Sequence, residues 1–324
     1  MITLYQLHWS HYVEKVRWAL DYKGLDWSAV DVDAFTKRQM HHLPCQLTLH
    51  SGRTLYAVPT IQDEDRNIVV GDSSKILEYL EQTYPTPPLY PGDVSDYSEV
   101  TRWMLWLDST LGLAARRLGY TQIALEHPGI LASLFIPHVL GARGSDSLKA
   151  RIAGAVIGGV LSRRFRLLHN REDRVFEQLE ECLLIVAERL KSRQYLVGNC
   201  FTGADLTLAA LLRPVLLVPF FRDHPRLGRI WNWRTKQLEE HRRDQELTYQ
   251  TMLENVRKRR KWALGAVFWL AGRTCDDSRT TAEIPGFPAS LNDQQSVGSW
   301  PALFGLFWYL RLMHTSGLGR TAYP

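Results

Sequence analysis

Apolar and polar positions in the first ninety residues switch between a period of two and a period near 3.6. Ile2 to Leu7 is a short strand-like run, and beyond Ser10 the residues Val13, Val16, Arg17, Leu20 and Tyr22 fall near helical spacing until Lys23-Gly24 stops the helix. Trp27 to Val32 reads as a second strand. Ala57 to Ile61 reads as a third that enters through Pro59, and a proline there needs an edge or a special turn. Asp63 to Asn67 is a hairpin turn into Ile68 to Val70. Asp72 and Ser73 then cap a helix whose apolar face is Ile76, Leu77 and Leu80, ending before Pro85. The expected order is β-α-β-(α)-β-β-α.

Thr83 to Asp93 is rich in proline and glycine, and the chain beyond it reads helical. Val100, Trp103, Met104, Leu107, Leu111, Ala114, Ala115 and Leu118 repeat at three and four and make one buried helix face; Phe176, Leu179, Leu183, Val186 and Leu190 make another. Gly119 to Asn170, with its Pro and Gly breaks, reads as irregular. Thr202-Gly-Ala-Asp205 has the form of a capping box, and the nearly all-apolar Leu206 to Leu212 behind it predicts a central, buried helix. The fold class expected is α/β plus all-α, with an α/β domain over 1–86, an all-helical domain over 95–256 and a basic and apolar extension over 257–324.

A length of 324 residues suits two domains. The net charge of +5 is scattered and balanced by 34 acidic residues, which is no nucleic-acid signature. Cys45, Cys182, Cys200 and Cys275 lie far apart, so neither a zinc site nor a disulfide framework is expected, and a reducing cytoplasm fits. The first residues carry no secretory signal pattern. Apolar runs at 152–161, 262–271 and 301–310 fall short of the roughly 18 to 20 residues a membrane span needs. The basic run Arg257-Lys-Arg-Arg-Lys261 leading into Trp262 to Ala271 is either a solvated helix end or an interfacial anchor on an acidic membrane.

Three short segments carry the candidate chemistry. Ser10-His-Tyr-Val-Glu-Lys-Val-Arg17 resembles the active-site segment of serine-type glutathione transferases, Val58-Pro59 resembles the cis-proline step of the thioredoxin superfamily, and Asp72-Ser-Ser-Lys-Ile-Leu-Glu-Tyr-Leu80 resembles the family's Glu/Asp-Ser-x-x-Ile-x-x-Tyr-Leu segment. Tyr195-Leu-Val-Gly198 with Thr202-Gly-Ala-Asp-Leu206 is similar to the signature of its helical domain. The resemblance to the cytosolic glutathione transferases covers about residues 1–92 and 96–215. It implies a thioredoxin-like N-terminal domain and a helical-bundle C-terminal domain. It also implies glutathione as co-substrate, attack of its thiol on a small hydrophobic electrophile, a role in detoxification and no metal.

A serine at a helix N-terminus offers a hydroxyl donor where free amides and the helix dipole favour an anion, as a thiolate requires. The resemblance implies that the Val58 backbone at the Pro59 step pairs with the cysteinyl unit, and that Asp72 and Ser73 hold the γ-glutamyl ammonium and carboxylate. The plain alternatives are that Ser10 and Asp72-Ser73 are only helix caps. Tyr5 is a rival hydroxyl donor with a stronger claim to the core. His11 is expected on the solvent side of the first turn. Lys37, Arg38 and His42 are candidates for the glycyl carboxylate, although the long Cys45 to Ala57 stretch departs from the family pattern. Trp9, Trp103, Trp106 and Tyr120 are candidate pocket walls. With Ser10 and Val13 where a dithiol oxidoreductase carries two cysteines, two-cysteine disulfide exchange is excluded. Glutathione and an electrophile are the expected partners. Peripheral membrane contact and a homodimer stay open, as does a non-catalytic binding protein of the same fold.

Overall fold

Ile2–Gln6 (β1) is buried at every position, which the two-period pattern does not ask for and which its place inside a sheet explains. The computed structural model describes residues 1–44, 47–48, 54–136, 147–165 and 172–242. In it β1 lies parallel to Trp27–Asp31 (β2) and antiparallel to Thr60–Asp63 (β5), which pairs in turn with Ile68–Gly71 (β6), in the order β2-β1-β5-β6. The parallel pair is joined through the helix His11–Tyr22 (α1), the crossover such pairing needs. Leu47–Thr48 (β3) and Thr54–Leu55 (β4) form a separate small hairpin in the long stretch before Pro59.

The pleat sends Leu4 and Tyr5 to opposite faces. On one face Ile2, Leu4 and Ile61 meet Val13, Val16 and Leu20 of α1 and Ile76, Leu77 and Leu80 of Ser73–Thr83 (α2). On the other, Tyr5 packs with Val32, Met40 and Leu43, and the bracketed helix of the sequence reading is a single 3₁₀ turn, Arg38–Met40. Tyr5 is thus a core residue, its hydroxyl donating to Gln62 Oε1 at 3.2 Å and lying 3.1 Å from His42 Nε2. This sheet with its two helices is the thioredoxin-like half; the elements described beyond residue 93 are helical.

Val94–Leu107 (α3) continues through a π-helical turn, Asp108–Gly112, into Leu113–Glu126 (α4). Pro128–Phe135 (α5) and Leu148–Phe165 (α6) follow, so the region read as irregular is largely helix. The misleading breaks have local causes. Pro128 sits at the first position of α5, where its missing N–H costs nothing. Gly154 is a contact point between α6 and α5, since a Cβ there would overlap the Pro128 carbonyl. Glu172–Arg189 (α7), Gly203–Leu211 (α8), the 3₁₀ turn Arg213–Leu217, Pro219–Arg222 (α9) and Gly228–His241 (α10) complete the described chain. Every residue of α8 is buried.

The capping box is present and extended. Asp205 Oδ2 accepts from the Thr202 amide at 3.0 Å and the Thr202 hydroxyl at 2.9 Å, while Oδ1 accepts from the Leu196 amide at 2.8 Å. Gly198 supplies the left-handed residue (φ 60°) of the turn leading in. Burial pushes the Asp205 carboxyl up to about 6 against these three donors. The basic-apolar segment 257–271 lies outside the described residues, as does the remainder of the extension.

Candidate functional site

Strand register determines what meets at one end of the sheet. Tyr5 pairs with Thr60, and Thr60 with Gly71, so the chain leaving β1, the chain entering β5 and the chain leaving β6 all emerge together. Those segments are Leu7 to Ser10, Val58-Pro59 and Asp72-Ser73. The Val58–Pro59 bond is cis, as the sequence predicts, and the Pro59 carbonyl accepts from the Asp72 amide at 3.2 Å.

Ser10 is the N-cap residue of α1 with extended backbone (φ −72°, ψ 127°), yet its side chain makes no capping bond. Its carbonyl accepts from the Glu14 amide at 2.9 Å, so the helix start is set by the backbone and the half-buried hydroxyl is left uncommitted among the described residues. The plain cap reading therefore fails for Ser10. It holds in part for Asp72, whose Oδ1 accepts from the Ser74 and Lys75 amides at 2.9 and 3.3 Å. Asp72 is exposed and carries φ 76°, ψ 126°, a backbone state that L-residues pay about 1–3 kcal/mol to hold. Ser73 is buried at the first position of α2.

His11 corrects the expectation of a solvent-side residue. It is 3% exposed, with Nε2 2.9 Å from the Gly112 carbonyl. Burial drives its pKa down to about 3, so the ring is neutral and Nε2 donates. The π turn is what covers it, and a Cβ on Gly112 would collide with the Tyr12 hydroxyl. One helical turn on, Lys15 is fully buried with Nζ 2.7 Å from Asp108 Oδ2 and 3.2 Å from Ser74 Oγ. Desolvation lowers the Lys15 pKa while Asp108 opposes it. Lys15 thus ties α1, α2 and the π turn to one another. Beside it Glu14, 1% exposed, receives Arg17 and Arg213 on Oε2 and Trp18 and Arg242 on Oε1. Burial would raise this carboxyl, but the arginines outweigh it and hold it at about 2.

The candidate pocket residues divide. Trp9 and Tyr120 both lie near Phe135, with ring centroids 5.1 and 6.4 Å from it. Trp103 and Trp106 form an edge-to-face pair elsewhere, Trp103 beneath Arg189. A cavity of about 130 Å³ opens at the functional end of the sheet between Gln6, His8, Trp9, Asp33, Arg38 and Phe135. Of the three glycyl-carboxylate candidates only Arg38 lines it, since His42 is beside Tyr5 and Lys37 is absent from its wall. Between Trp9, His11, Arg116, Tyr120 and Arg213 only about 10 Å³ is left.

With this geometry established, the comparisons agree on the class. The family model described as the glutathione S-transferase N-terminal domain matches residues 4–88, and that for the C-terminal domain matches 159–227. Residues 4–88 and 159–227 thus carry the two domains of the glutathione S-transferase family. Among curated relatives it is 35% identical over 93 residues to a maleylacetoacetate isomerase of Pseudomonas aeruginosa, covering 28% of this chain and 42% of that one. It is 32% identical over 93 residues to glutathione S-transferase Z1 of Arabidopsis thaliana, covering 29% and 39%. The match thus spans about two-fifths of these relatives' length. Among solved structures, glutathione transferase GSTFuA2 of Phanerochaete chrysosporium (21% identity, 75% of this chain, 99% of that chain, TM-score 0.53) shares the fold. So does the beta-etherase LigF of Sphingobium (19%, 78%, 99%, 0.52).

Proposed function

We propose that the chain is a glutathione transferase, binding glutathione across the end of the sheet and directing its thiolate at a small hydrophobic electrophile. The observation that carries this is the register that gathers Ser10, Val58-Pro59 and Asp72-Ser73 at one edge, with the Ser10 hydroxyl uncommitted. In this reading the hydroxyl donates to the glutathione sulfur at the positive end of α1. The Val58 backbone pairs with the cysteinyl unit, and Asp72 and Ser73 receive the γ-glutamyl ammonium and carboxylate. Arg38 is the cation placed for the glycyl end. The electrophile stands beside Trp9 and Phe135. Lowering a thiol pKa by about two units needs only about 2.7 kcal/mol, within reach of one hydroxyl donor and a helix terminus.

The test pairs glutathione titration calorimetry with the pH profile of conjugation, on wild type and Ser10→Ala. Turnover at neutral pH should fall more than affinity, with the bound thiol pKa raised. Conjugation at the wild-type rate with an unchanged profile would sink the assignment of Ser10. A second reading, a glutathione-binding protein without turnover, is favoured by one observation, the nearly closed space between Trp9 and Tyr120. Glutathione affinity with no conjugation of any model electrophile would select it.

A further inference from the structure

The inner face of α6 is fully used in packing. Ala150, Gly154, Ile157, Gly158 and Leu161 are buried, with Gly154 against the Pro128 carbonyl and Gly158 close to Ala124 of α4 and Leu131 of α5. Yet on the opposite side Leu148, Ile152, Val156 and Val160 recur at every fourth position and are 69%, 59%, 64% and 54% exposed. At about 100° per residue these positions drift round the helix by only about 120° in all, so they form one stripe. The charged residues of α6, Lys149, Arg151, Arg163 and Arg164, are all basic. Lys149 and Arg151 are exposed at one end of the stripe and Arg163 at the other. α7 shows the ordinary solvated pattern instead, its exposed side including Arg174, Glu177, Gln178, Glu181 and Glu188.

A contiguous row of exposed aliphatics marks a surface that meets something apolar. The charge pattern selects the partner. Two-fold docking on a second copy would set this face against itself, bringing Lys149, Arg151 and Arg163 of both copies together with no acidic residue on the helix to pair them. An anionic bilayer meets both needs, with an apolar depth for the stripe and negative headgroups for its ends. None of the described helices is long and apolar enough to cross a membrane, so the fit is to the plane of the surface. We propose that the outer face of α6 docks on an anionic phospholipid bilayer, Leu148, Ile152, Val156 and Val160 entering the acyl boundary while Lys149, Arg151 and Arg163 meet the lipid phosphates. None of these residues belongs to the glutathione site proposed above.

The experiment is co-sedimentation of the 324-residue chain with vesicles of phosphatidylserine and phosphatidylcholine in equal parts, and with phosphatidylcholine alone, at low and high salt. The chain should partition onto the phosphatidylserine vesicles, more weakly at high salt, and much less onto phosphatidylcholine. Two paired variants at exposed positions are compared with it, each checked for unchanged thermal unfolding and unchanged glutathione titration. Ile152→Ser with Val156→Ser should weaken partitioning by about tenfold to a hundredfold through lost apolar insertion, and keep its salt dependence. Lys149→Gln with Arg151→Gln should weaken it by about thirtyfold on phosphatidylserine and leave phosphatidylcholine unchanged. Recovery of the wild-type chain in the supernatant with both vesicles at low salt would overturn the proposal. So would sedimentation of the serine pair equal to wild type, which would move the attachment elsewhere, such as the basic run at 257–261. Sedimentation velocity without lipid examines the rival partner. A wild-type dimer that the serine pair dissolves would assign the face to a second copy and overturn the proposal as well.

Discussion

Two helix starts in this molecule look alike in sequence and behave oppositely. α8 begins at Thr202, a hydroxyl residue whose partner Asp205 closes a box that also takes in the Leu196 amide, all of it buried. α1 begins at Ser10, a hydroxyl residue that accepts nothing from its own helix. The first start commits the Thr202 hydroxyl and both Asp205 carboxylate oxygens to itself and to the turn beside it, so it is architecture. The second leaves its hydroxyl and first amides facing the end of the sheet, where the chain crossings gather. Helix-capping residues are chemically suited to either task, and only the bonds they make tell which one a given serine or threonine performs.

The largest expected effect is at the α8 start. Asp205→Ala leaves the Leu196 and Thr202 amides buried without acceptors, and at about 1–3 kcal/mol for each such group it should cost about 3–4 kcal/mol of stability by urea unfolding. A loss under about 1 kcal/mol would mean the box is not what fixes this turn.

At the α1 start the comparable effect is a pH dependence. His11 has a folded pKa of about 3 against an ordinary 6.5, so between those values the unfolded chain binds a proton that the folded chain refuses. Stability from this group is full above about pH 6.5 and is lost as pH falls toward 3, reaching on the order of 3 kcal/mol at pH 4. Unfolding curves from pH 7 to pH 4 should therefore fall less steeply in His11→Gln than in wild type. Parallel curves would show that the ring is protonated in the native state.

Smaller and more direct is the pair of hydroxyl deletions. Thr202→Ala should cost about 1–2 kcal/mol of stability, as loss of a buried cap does. Ser10→Ala should change stability by less than about 0.5 kcal/mol, because no cap bond is lost, while altering the acidity of bound glutathione. If the two deletions destabilise equally, the contrast between the helix starts collapses and Ser10 is a cap after all.

Much of this contrast was visible in sequence. The four strands of the main sheet, both helices of the first half and the segments at Ser10, Pro59 and Asp72 are written in local patterns a few residues long, whereas the Leu47–Thr48 and Thr54–Leu55 hairpin and the strand register are not. Lys15, Asp108 and Gly112 were not visible as a group, because their contacts join residues some ninety to one hundred positions apart. The apolar period of α1 runs through Val13, Val16 and Leu20, and that face was read correctly. A second stripe, His11, Lys15, Trp18 and Tyr22, is spaced just as regularly and lies under the helical part, with Trp18 and Tyr22 against Phe201. Its mixture of cation, imidazole and aromatics passes for a solvated face by polarity alone. The two aromatics in it were the available sign that something covers it. Of the four candidate pocket walls, Trp9 and Tyr120 lie near Phe135 while Trp103 and Trp106 pair with each other on α3, a division that helical spacing alone does not reveal.

The π turn at Asp108–Gly112 has a consequence for how the gene tolerates insertions and deletions. Such a turn carries one residue more than the α-helix it interrupts, and each residue rotates a helix by about 100°. Deleting any one of these five residues would let the long helix run straight, and local propensity would favour that outcome. The same deletion would swing one half of the helix about a third of a turn against the other. Asp108 could then no longer meet Lys15 while Gly112 met His11. The irregular backbone is thus a phase adjuster, and its length is constrained by α1, a helix it follows by almost a hundred residues.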